Sequence, residues 1–143
     1  MGIVFVGGVH GVGKSTCCQE VAERTGLQWL TASSLIKAEE QSAVAEHSKV
    51  VLDAVRNQQL LVRSVRKRMK RGHDRVILDG HFTLFTLSGT IETIEIDVFI
   101  QLGLERIVVL RDDPSAICGR LRERDGQDWS ISMVDIHQNA EIE

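Results

Sequence analysis

The stretch IVFVGGVHGVGKSTCCQEVAERTG, residues 3–26, determines how this chain folds. Its first four residues are apolar and three of them are β-branched, which is typical of a strand buried on both faces. Gly7-Gly8 ends this strand, and the residues from Lys14 to Arg24 are predicted to form a helix that Gly26 closes. The sequence therefore predicts a strand, a glycine-rich turn and a helix in direct succession.

The turn between this strand and this helix carries a phosphate-binding motif. Residues 8–16, GVHGVGKST, contain the pattern G-x-x-x-x-G-K-[S/T], and the flanking strand and helix disfavour the alternative of an incidental glycine turn. Successive backbone N–H groups can surround a phosphate there, at the positive end of a helix. Lys14 is predicted to bridge the β- and γ-phosphates of ATP, in preference to GTP, and Ser15 to bind Mg²⁺. The predicted nucleotide-binding residues are Gly8, Gly11, Val12, Gly13, Lys14, Ser15 and Thr16.

Composition and charge exclude some classes of protein. The 143 residues suffice for one domain with a core, since 43% of them are hydrophobic. A formal net charge of −3 lacks the basic surplus of proteins that bind mainly nucleic acid or anionic membranes, so a small ligand is favoured. No apolar stretch reaches the roughly 18 residues that a membrane-spanning helix needs. Cys17, Cys18 and Cys118 form no zinc-binding pattern, and we therefore predict a reducing, cytoplasmic location.

After residue 26, short apolar runs alternate with longer amphipathic ones, which is the pattern of a parallel sheet with crossover helices. Further strands are predicted at Leu27–Leu30, Arg75–Asp79 and Arg106–Leu110. The segment from Thr83 to Gly103 is predicted to be irregular, with a hairpin around Ser88-Gly89 and a short helix near residues 98–102.

Capping residues predict where the remaining helices begin. A mostly helical stretch is expected up to Gly72, and its basic end is interpreted either as a solvated helix face or as a phosphate contact. The predicted caps are Thr31 with Ser33 or Ser34, Asp112 or Asp113 before Pro114, and Ser130 or Ser132 for a last helix that reaches Glu143. The basic end comprises Arg63, Arg66, Lys67, Arg68, Lys70 and Arg71.

Asp79 lies at the C-terminal end of a strand predicted to be the neighbour of the first strand. Ligands of open α/β sheets collect at that edge, so its carboxylate is predicted to hold Mg²⁺ through water, with a helix cap or a turn before Gly80 as the alternative. His81 either orients a phosphate acceptor or is a loop histidine without a catalytic role. His10, inside the loop, is interpreted mainly as the occupant of a tolerant position, with a gating or base-sensing role as the alternative.

Arginines follow the last predicted strand. On a helix, Arg120 and Arg124 share a face and Arg122 does not, so the first two are predicted to converge on the phosphates of the donor nucleotide. Gly126 allows the chain to hinge after them, as a lid that excludes water requires. The alternative is ordinary surface pairing with Glu123.

Taken in order, these motifs resemble the adenylate-kinase-like P-loop kinases, and among them the archaeal-type adenylate kinases and related ATP-binding proteins. The resemblance covers most of the chain and rests on GGVHGVGKST at 7–16, VILDGHFTL at 76–84, IVVLRDDPSAICGRLRERDG at 107–126 and IHQNAEIE at 136–143. It implies a phosphate-donor site, an acid-tipped strand, a helix leading into a lid and the helix after that lid.

The resemblance also implies an organisation for residues 1–143 as a single three-layer α/β/α P-loop domain. The four predicted strands would take the order 2-3-1-4, with an acceptor-binding segment at 31–72 and a lid-like segment at 120–132. The resemblance implies that the acceptor nucleotide lies at Thr31, Ser33, Ser34 and Lys37. Ser33-Ser34 and Lys37 replace the glycine-acid pair and the arginine of the family, and Gln127 and Trp129 replace lid arginines. Kinases of this kind add a fifth strand, so we expect a fragment, a truncated chain or a protein partner or dimer that covers the sheet edge.

We therefore predict an ATP-dependent phosphotransferase that acts on a nucleoside monophosphate or a similar small acceptor. Its predicted catalytic residues are Lys14, Asp79, Arg120 and Arg124, and its predicted metal ligands are Ser15 and Asp79. The alternative is an ATP- or GTP-dependent switch or assembly factor with slow hydrolysis. A polynucleotide 5′-end kinase that uses the basic run is a third possibility, which the acidic net charge disfavours.

Overall fold

The computed structural model describes residues 2–45, 54–70, 75–85 and 91–126. Its strands are β1 (Gly2–Gly7), β2 (Gln28–Thr31), β3 (Arg75–Asp79), β4 (Thr83–Phe85), β5 (Ile91–Thr93) and β6 (Leu104–Val109). Its helices are α1 (Lys14–Thr25), α2 (Ala32–Ala45), α3 (Ala54–Met69), α4 (Ile96–Leu102) and α5 (Pro114–Asp125). Within these residues, no helix is both long enough and apolar enough to cross a membrane.

The main sheet has the strand order β2-β3-β1-β6, and all of its neighbouring strands are parallel. The continuous apolar run Ile3–Val6 forms its centre, as expected of a strand buried on both faces. This order confirms the 2-3-1-4 prediction, because β6 is the fourth of the predicted strands. The hairpin β4–β5, which forms a separate two-stranded antiparallel sheet, accounts for the difference in numbering.

The register of the sheet brings three strand ends to one edge. Val6 of β1 is paired with Asp79 of β3, and Asp79 is paired in turn with Thr31 of β2. Since all three strands run in the same direction, the phosphate loop after β1, the start of α2 and the residues after β3 leave the sheet together.

Helices cover both faces of this sheet, so that the domain has three layers. Ile3 and Phe5 of β1 face a core that includes residues of α2, α3 and α4, whereas Val6 faces Cys18 of α1. Phe5 makes edge-to-face contacts with Phe82 and Phe99, whose ring centroids lie 5.0 and 5.3 Å from its own. A third cluster, formed by Val9, Ile117, Cys118 and Leu121, packs α5 against the start of the phosphate loop.

The predicted helix starts are confirmed where the structure describes them. The Thr31 hydroxyl accepts a hydrogen bond from the Ser34 amide at 3.4 Å, and Asp113 accepts from the amides of Ser115 and Ala116 at 3.0 and 3.3 Å. Asp113, rather than Asp112, is therefore the cap of α5. Pro114 follows it in the first turn, where its missing N–H costs no helical hydrogen bond.

The segment after β3 contains the hairpin strands and the short helix predicted for it. β4 and β5 are paired antiparallel, and α4 extends two residues further towards the N-terminus than predicted. Several predicted features lie outside the described residues. They are the turn at Ser88-Gly89, residues 46–53 of the helical stretch, residues 127–143 with the last helix and the end of the lid-like segment, and the expected fifth strand.

β6 is an edge strand within the described part of the chain. Ile107, Val108 and Val109 are exposed by 54%, 40% and 41%, although they are apolar. The prediction that a protein partner or a second copy covers this edge stays a prediction.

Candidate active site

The backbone conformation of the phosphate loop requires glycine at two positions. Gly8 has a φ of 146°, and a Cβ atom there would lie 2.6 Å from the Leu110 carbonyl oxygen. Gly11 has a φ of 83°, and a Cβ atom would lie 2.7 Å from the Leu121 side chain. Both the backbone conformation and the space therefore require glycine. At these two positions the loop passes close to Leu110, which follows β6, and to Leu121 of α5.

Lys14, the first residue of α1, turns back over the loop and is buried with 7% of its surface exposed. Its ammonium group donates to the carbonyl oxygens of Gly8 and Val9, the latter at 3.0 Å. It also lies 3.5 Å from Nδ1 of His81, the residue that follows β3 by two positions. The loop thus presents a single positive charge at its centre, which suits an anionic ligand.

Ser15 and Asp79 form a pair of oxygen ligands beside this charge. The Ser15 hydroxyl donates to Asp79 Oδ2 at 3.2 Å, and Asp79 is buried with 7% of its surface exposed. Mg²⁺ prefers such hard oxygen donors and takes only one or two from the protein when phosphates supply others. The described residues contain no group of three or more His, Cys, Asp or Glu side chains that could hold a metal. The pair therefore fits a magnesium ion shared with phosphates and does not fit an all-protein metal cage.

Arg120 of α5 is fixed to the phosphate loop by two contacts. Its Nε donates to the Gly11 carbonyl oxygen at 3.1 Å, and its Nη2 lies 2.7 Å from Oδ2 of Asp112. The hydrogen bond from Arg120 lowers the pKa of the Asp112 carboxyl below its ordinary value. Arg120 therefore keeps its position through a backbone atom of the loop and through a neighbouring carboxylate.

Arg124 lies one helical turn further along α5 and reaches the same loop through a different group. Its Nη2 lies 2.9 Å from Nε2 of His10. The two imidazoles of the site, His10 and His81, have ring centroids 6.2 Å apart. The loop, the end of β3 and α5 thus meet around one space.

That space is a cavity of about 400 Å³. Its walls are formed by the phosphate loop, α5, the N-terminus of α2 and the residues after β3. Its lining residues are His10, Gly11, Gly13, Lys14, Ser15, Thr16, Thr31, Ala32, Ser33, Asp79, Gly80, His81, Arg120, Leu121 and Arg124.

The structure brings together most of the residues that the sequence singled out. All four predicted catalytic residues line the cavity, as do Thr31 and Ser33 of the expected acceptor segment. The lining excludes Ser34, which bonds to Thr31, and Lys37, which is exposed on α2. Gly8 and Val12 of the loop stay outside it as well, and so does Arg122.

Two contacts were missed by sequence reasoning. Asp112 was considered only as a helix cap, whereas its carboxylate pairs with Arg120. His10 was interpreted as a tolerant position, whereas it contacts Arg124, 114 residues away. No local pattern indicates either contact, because each depends on where α5 lies relative to the loop.

Comparison with known proteins identifies relatives with the same loop and sheet. Residues 7–135 match the family described as AAA domain. The adenylate kinase of Pyrococcus abyssi (strain GE5 / Orsay) is 30% identical over 147 residues, which cover 96% of this chain and 74% of that enzyme.

Solved kinase structures share the fold. A shikimate kinase from Bacteroides thetaiotaomicron superposes with a TM-score of 0.64 at 16% identity, over 99% of this chain and 78% of its own. A gluconokinase from Sinorhizobium meliloti 1021 superposes with a TM-score of 0.53 at 18% identity, over 98% of this chain and 73% of its own. At these identities the similarity concerns the fold alone.

The parallel sheet, the phosphate loop and these relatives define a P-loop kinase, that is, an ATP-dependent phosphotransferase. Within this class, the chain belongs to the AAA domain family and to its adenylate-kinase-like members.

Proposed function

We propose that this chain transfers the γ-phosphoryl group of Mg·ATP to a nucleoside monophosphate or a similar small acceptor. The observation that carries the proposal is the continuity of the cavity, which extends from the phosphate loop and the two arginines of α5 to the N-terminus of α2. Its volume of about 400 Å³ lies within the range of small-molecule sites. Donor and acceptor would therefore share one cavity, as direct transfer between them requires.

The donor triphosphate would lie on the loop. The backbone amides at the start of α1 and the Lys14 ammonium would hold the β- and γ-phosphates. Arg120 and Arg124 approach the loop from α5 and would neutralise the charge that develops on the phosphoryl group in transit.

Ser15 and Asp79 are the residues that would hold Mg²⁺. When bound, the ion neutralises charge on the oxygens of the β- and γ-phosphates. Asp79 is rigid because β3 is paired on both sides, with β1 and with β2. The Ser15 hydroxyl is fixed by its place in the first turn of α1 and by its bond to Asp79.

The acceptor would occupy the end of the cavity that Thr31, Ser33 and His81 line. Hydroxyl and imidazole groups can orient an attacking oxygen in line with the γ-phosphate, and no covalent enzyme intermediate is required. Kinship with an adenylate kinase favours a nucleoside monophosphate. The similar folds include a gluconokinase and a shikimate kinase, which makes gluconate and shikimate useful acceptors for comparison.

Segments 31–72 and 120–132 are proposed to bind the acceptor and to close over the donor. The described part of the second segment already contacts the loop through Arg120 and Arg124. Gly126 follows with a φ of 80°, a conformation that allows the chain to change direction after α5. Closure there would exclude the water that competes with the acceptor.

A nucleotide-dependent switch is the second candidate function. The exposed apolar strand β6 favours it, since a protein partner that binds according to nucleotide state needs an apolar surface to recognise. A switch would hydrolyse ATP or GTP slowly and would respond to a protein rather than to a small acceptor.

One assay separates the two candidates. ADP formation from Mg·ATP is measured alone and with AMP, CMP, GMP, UMP, gluconate or shikimate, and then repeated with GTP as the donor. A rate that rises many-fold with one acceptor supports transfer. A rate that no acceptor changes would contradict the acceptor proposal and support the switch.

The matched controls for this assay are two variants that each remove one positive charge. Lys14→Ala removes the ammonium group of the loop and should abolish ADP formation. Arg24→Ala removes an exposed guanidinium from the last turn of α1, where it pairs with Glu20, and should leave the rate unchanged. Unchanged turnover in Lys14→Ala would exclude the loop as the donor site.

A further inference from the structure

The side chain of His10 points from the phosphate loop to α5. Its Nε2 lies 2.9 Å from Nη2 of Arg124, and both residues line the cavity. A guanidinium group can only donate hydrogen bonds, so Nε2 is the acceptor and the neutral imidazole carries its proton on Nδ1. The contact therefore has a defined direction, from the arginine on α5 to the histidine in the loop.

The two arginines of α5 differ in how they are held. Arg120 bonds to a backbone carbonyl of the loop and to Asp112, and neither contact depends on the side chain at position 10. Arg124 is exposed and lies in the last turn of α5, two residues before Gly126. Its contact with the loop is made to a side chain, so a substitution at residue 10 can remove it while leaving the loop backbone intact.

We infer that His10 is a positioning residue, whose imidazole holds the guanidinium of Arg124 over the donor phosphates. The inference rests on the proposed function, since it assigns Arg124 to the phosphoryl group in transit. A guanidinium has five N–H donors, so one that binds an imidazole can also bind a phosphate. A side chain that is already positioned loses less conformational freedom when the phosphate arrives.

The test is a double-mutant cycle on residues 10 and 124. The variants are His10→Leu, which lacks an acceptor, His10→Gln, whose amide oxygen lies about where Nε2 does, Arg124→Ala, and His10→Leu combined with Arg124→Ala. For each protein, kcat and KM for Mg·ATP are measured with AMP as the acceptor and with water alone. Melting curves show that each variant is folded.

We expect His10→Leu to lower kcat about tenfold, as the loss of one hydrogen bond to a charged group predicts, and to change KM less than about twofold. His10→Gln should restore most of the turnover. In the Arg124→Ala background, His10→Leu should have no further effect, because the residue through which it acts is gone. A purely structural role for His10 predicts neither the rescue nor this coupling.

Two results would overturn the inference. If His10→Leu lowers kcat by the same factor with and without Arg124, residue 10 acts on the nucleotide itself. If His10→Gln is as slow as His10→Leu, the turnover does not depend on a hydrogen-bond acceptor at residue 10. Should His10→Leu fail to fold, His10→Asn, whose shorter amide does not reach Arg124, completes the same cycle.

A second measurement separates this inference from the proposed function. Affinity for Mg·ADP with aluminium fluoride, a mimic of the phosphoryl group in transit, is measured by calorimetry on the same proteins. A loss of about tenfold in His10→Leu that is absent in the Arg124→Ala background supports the positioning even if no acceptor raises turnover. Equal affinity in the wild type and in His10→Leu contradicts the positioning.

Discussion

Asp79 is buried at the end of a strand and yet carries a carboxylate, which distinguishes it from the apolar residues before it in β3. Its partner, the Ser15 hydroxyl, is 3.2 Å away and comes from the first turn of α1. Such a placement has no packing advantage, since a buried carboxylate loses its hydration. The pair is better explained by a cation that it shares with a ligand.

Replacing Asp79 by Asn should therefore weaken the response to Mg²⁺ more than it weakens the fold. Asn still accepts a hydrogen bond from Ser15 but lacks the charge. We expect the Mg²⁺ concentration for half-maximal turnover to rise by about tenfold or more, as measured by titrating Mg²⁺ at a fixed ATP concentration. Asp97→Asn, on the exposed side of α4, is the control and should leave this concentration unchanged. An Mg²⁺ response in Asp79→Asn equal to that of the wild type would exclude the carboxylate as a ligand.

The cysteines differ in reactivity although two of them are adjacent. Cys17 is exposed, whereas Cys18 and Cys118 are buried. Burial raises the pKa of the Cys18 thiol from 9.0 to about 12, and the nearby Asp79 carboxylate acts in the same direction. At pH 8, a disulfide reagent should titrate about one thiol quickly in the native protein and all three in denaturant. Cys17→Ser should abolish the fast phase, and a fast thiol that survives this change would mean that Cys18 or Cys118 is accessible.

Among the elements, α5 contributes both to the hydrophobic core and to the lining of the cavity. Its inner face, with Ile117 and Leu121, packs under the phosphate loop, and its last two turns carry both arginines of the cavity. Its start depends on Asp113, which accepts bonds from the amides of Ser115 and Ala116 and from the Ser115 hydroxyl. The direction of α5, and with it the position of the arginines, is thus set at its cap.

Asp113→Ala should lower the urea midpoint of unfolding without changing the slope, because a helix cap is lost and the buried surface is not. The hydrogen bond from the Ser115 side chain holds the pKa of Asp113 below its ordinary value of 3.8. A carboxylate with a lowered pKa stabilises the fold above its unfolded pKa, and this contribution disappears as the pH falls through the folded value. The difference between the wild type and the variant should therefore be present at pH 7 and shrink below pH 3.8.

Glu123→Ala is the matched control for this helix, since Glu123 is an exposed acid in α5 that does not cap it. Its urea midpoint should equal that of the wild type at pH 7. A difference between Asp113→Ala and the wild type that persists undiminished in acid would mean that the capping carboxylate is not its source.

At the scale of the whole molecule, the cavity draws on the sheet and on both helical layers. Its lining comes from α1, α2, α5 and the end of β3, so a ligand that fills it connects elements distant in sequence. Binding to the native state alone stabilises it by about 2.7 kcal/mol at a ligand concentration of 100 Kd.

Mg·ATP should therefore raise the melting temperature, by several degrees at saturation. A thermal melt with and without Mg·ATP measures this, and Lys14→Ala should show little or no shift. Arg24→Ala, which removes an exposed charge from the other end of α1, should respond as the wild type does. A wild-type protein whose melting temperature is indifferent to Mg·ATP and to Mg·GTP would contradict the placement of the donor site.

The main sheet was predictable because its signals are local. Ile3–Val6 and Arg75–Asp79 are short apolar runs that end in glycine or an acid, and the loop between β1 and α1 has a fixed spacing. The facing of Arg120 and Arg124 towards one cavity also follows from helical periodicity alone. No local sequence pattern predicts how α5 packs against the phosphate loop. The contacts of Arg120 with Asp112 and of Arg124 with His10 appear only once α5 lies against the loop.

The position of β6 in the sheet could not be predicted from its local sequence either. Its run Ile107–Val109 is as apolar as that of β1, yet β1 is central in the sheet and β6 is at the edge of the described part. An apolar run indicates a strand but not the number of its neighbours.

The resting position of Lys14 bears on which molecules the loop can select. Its ammonium group already has acceptors in the carbonyls of Gly8 and Val9, so an incoming molecule has to compete with the protein's own backbone for the same protons. The negatively charged β- and γ-phosphates of the proposed donor would compete for these protons, whereas the uncharged edges of a nucleoside would not. Lys14 would thereby discriminate between a nucleotide and its dephosphorylated remnant before any part of the base or sugar is recognised.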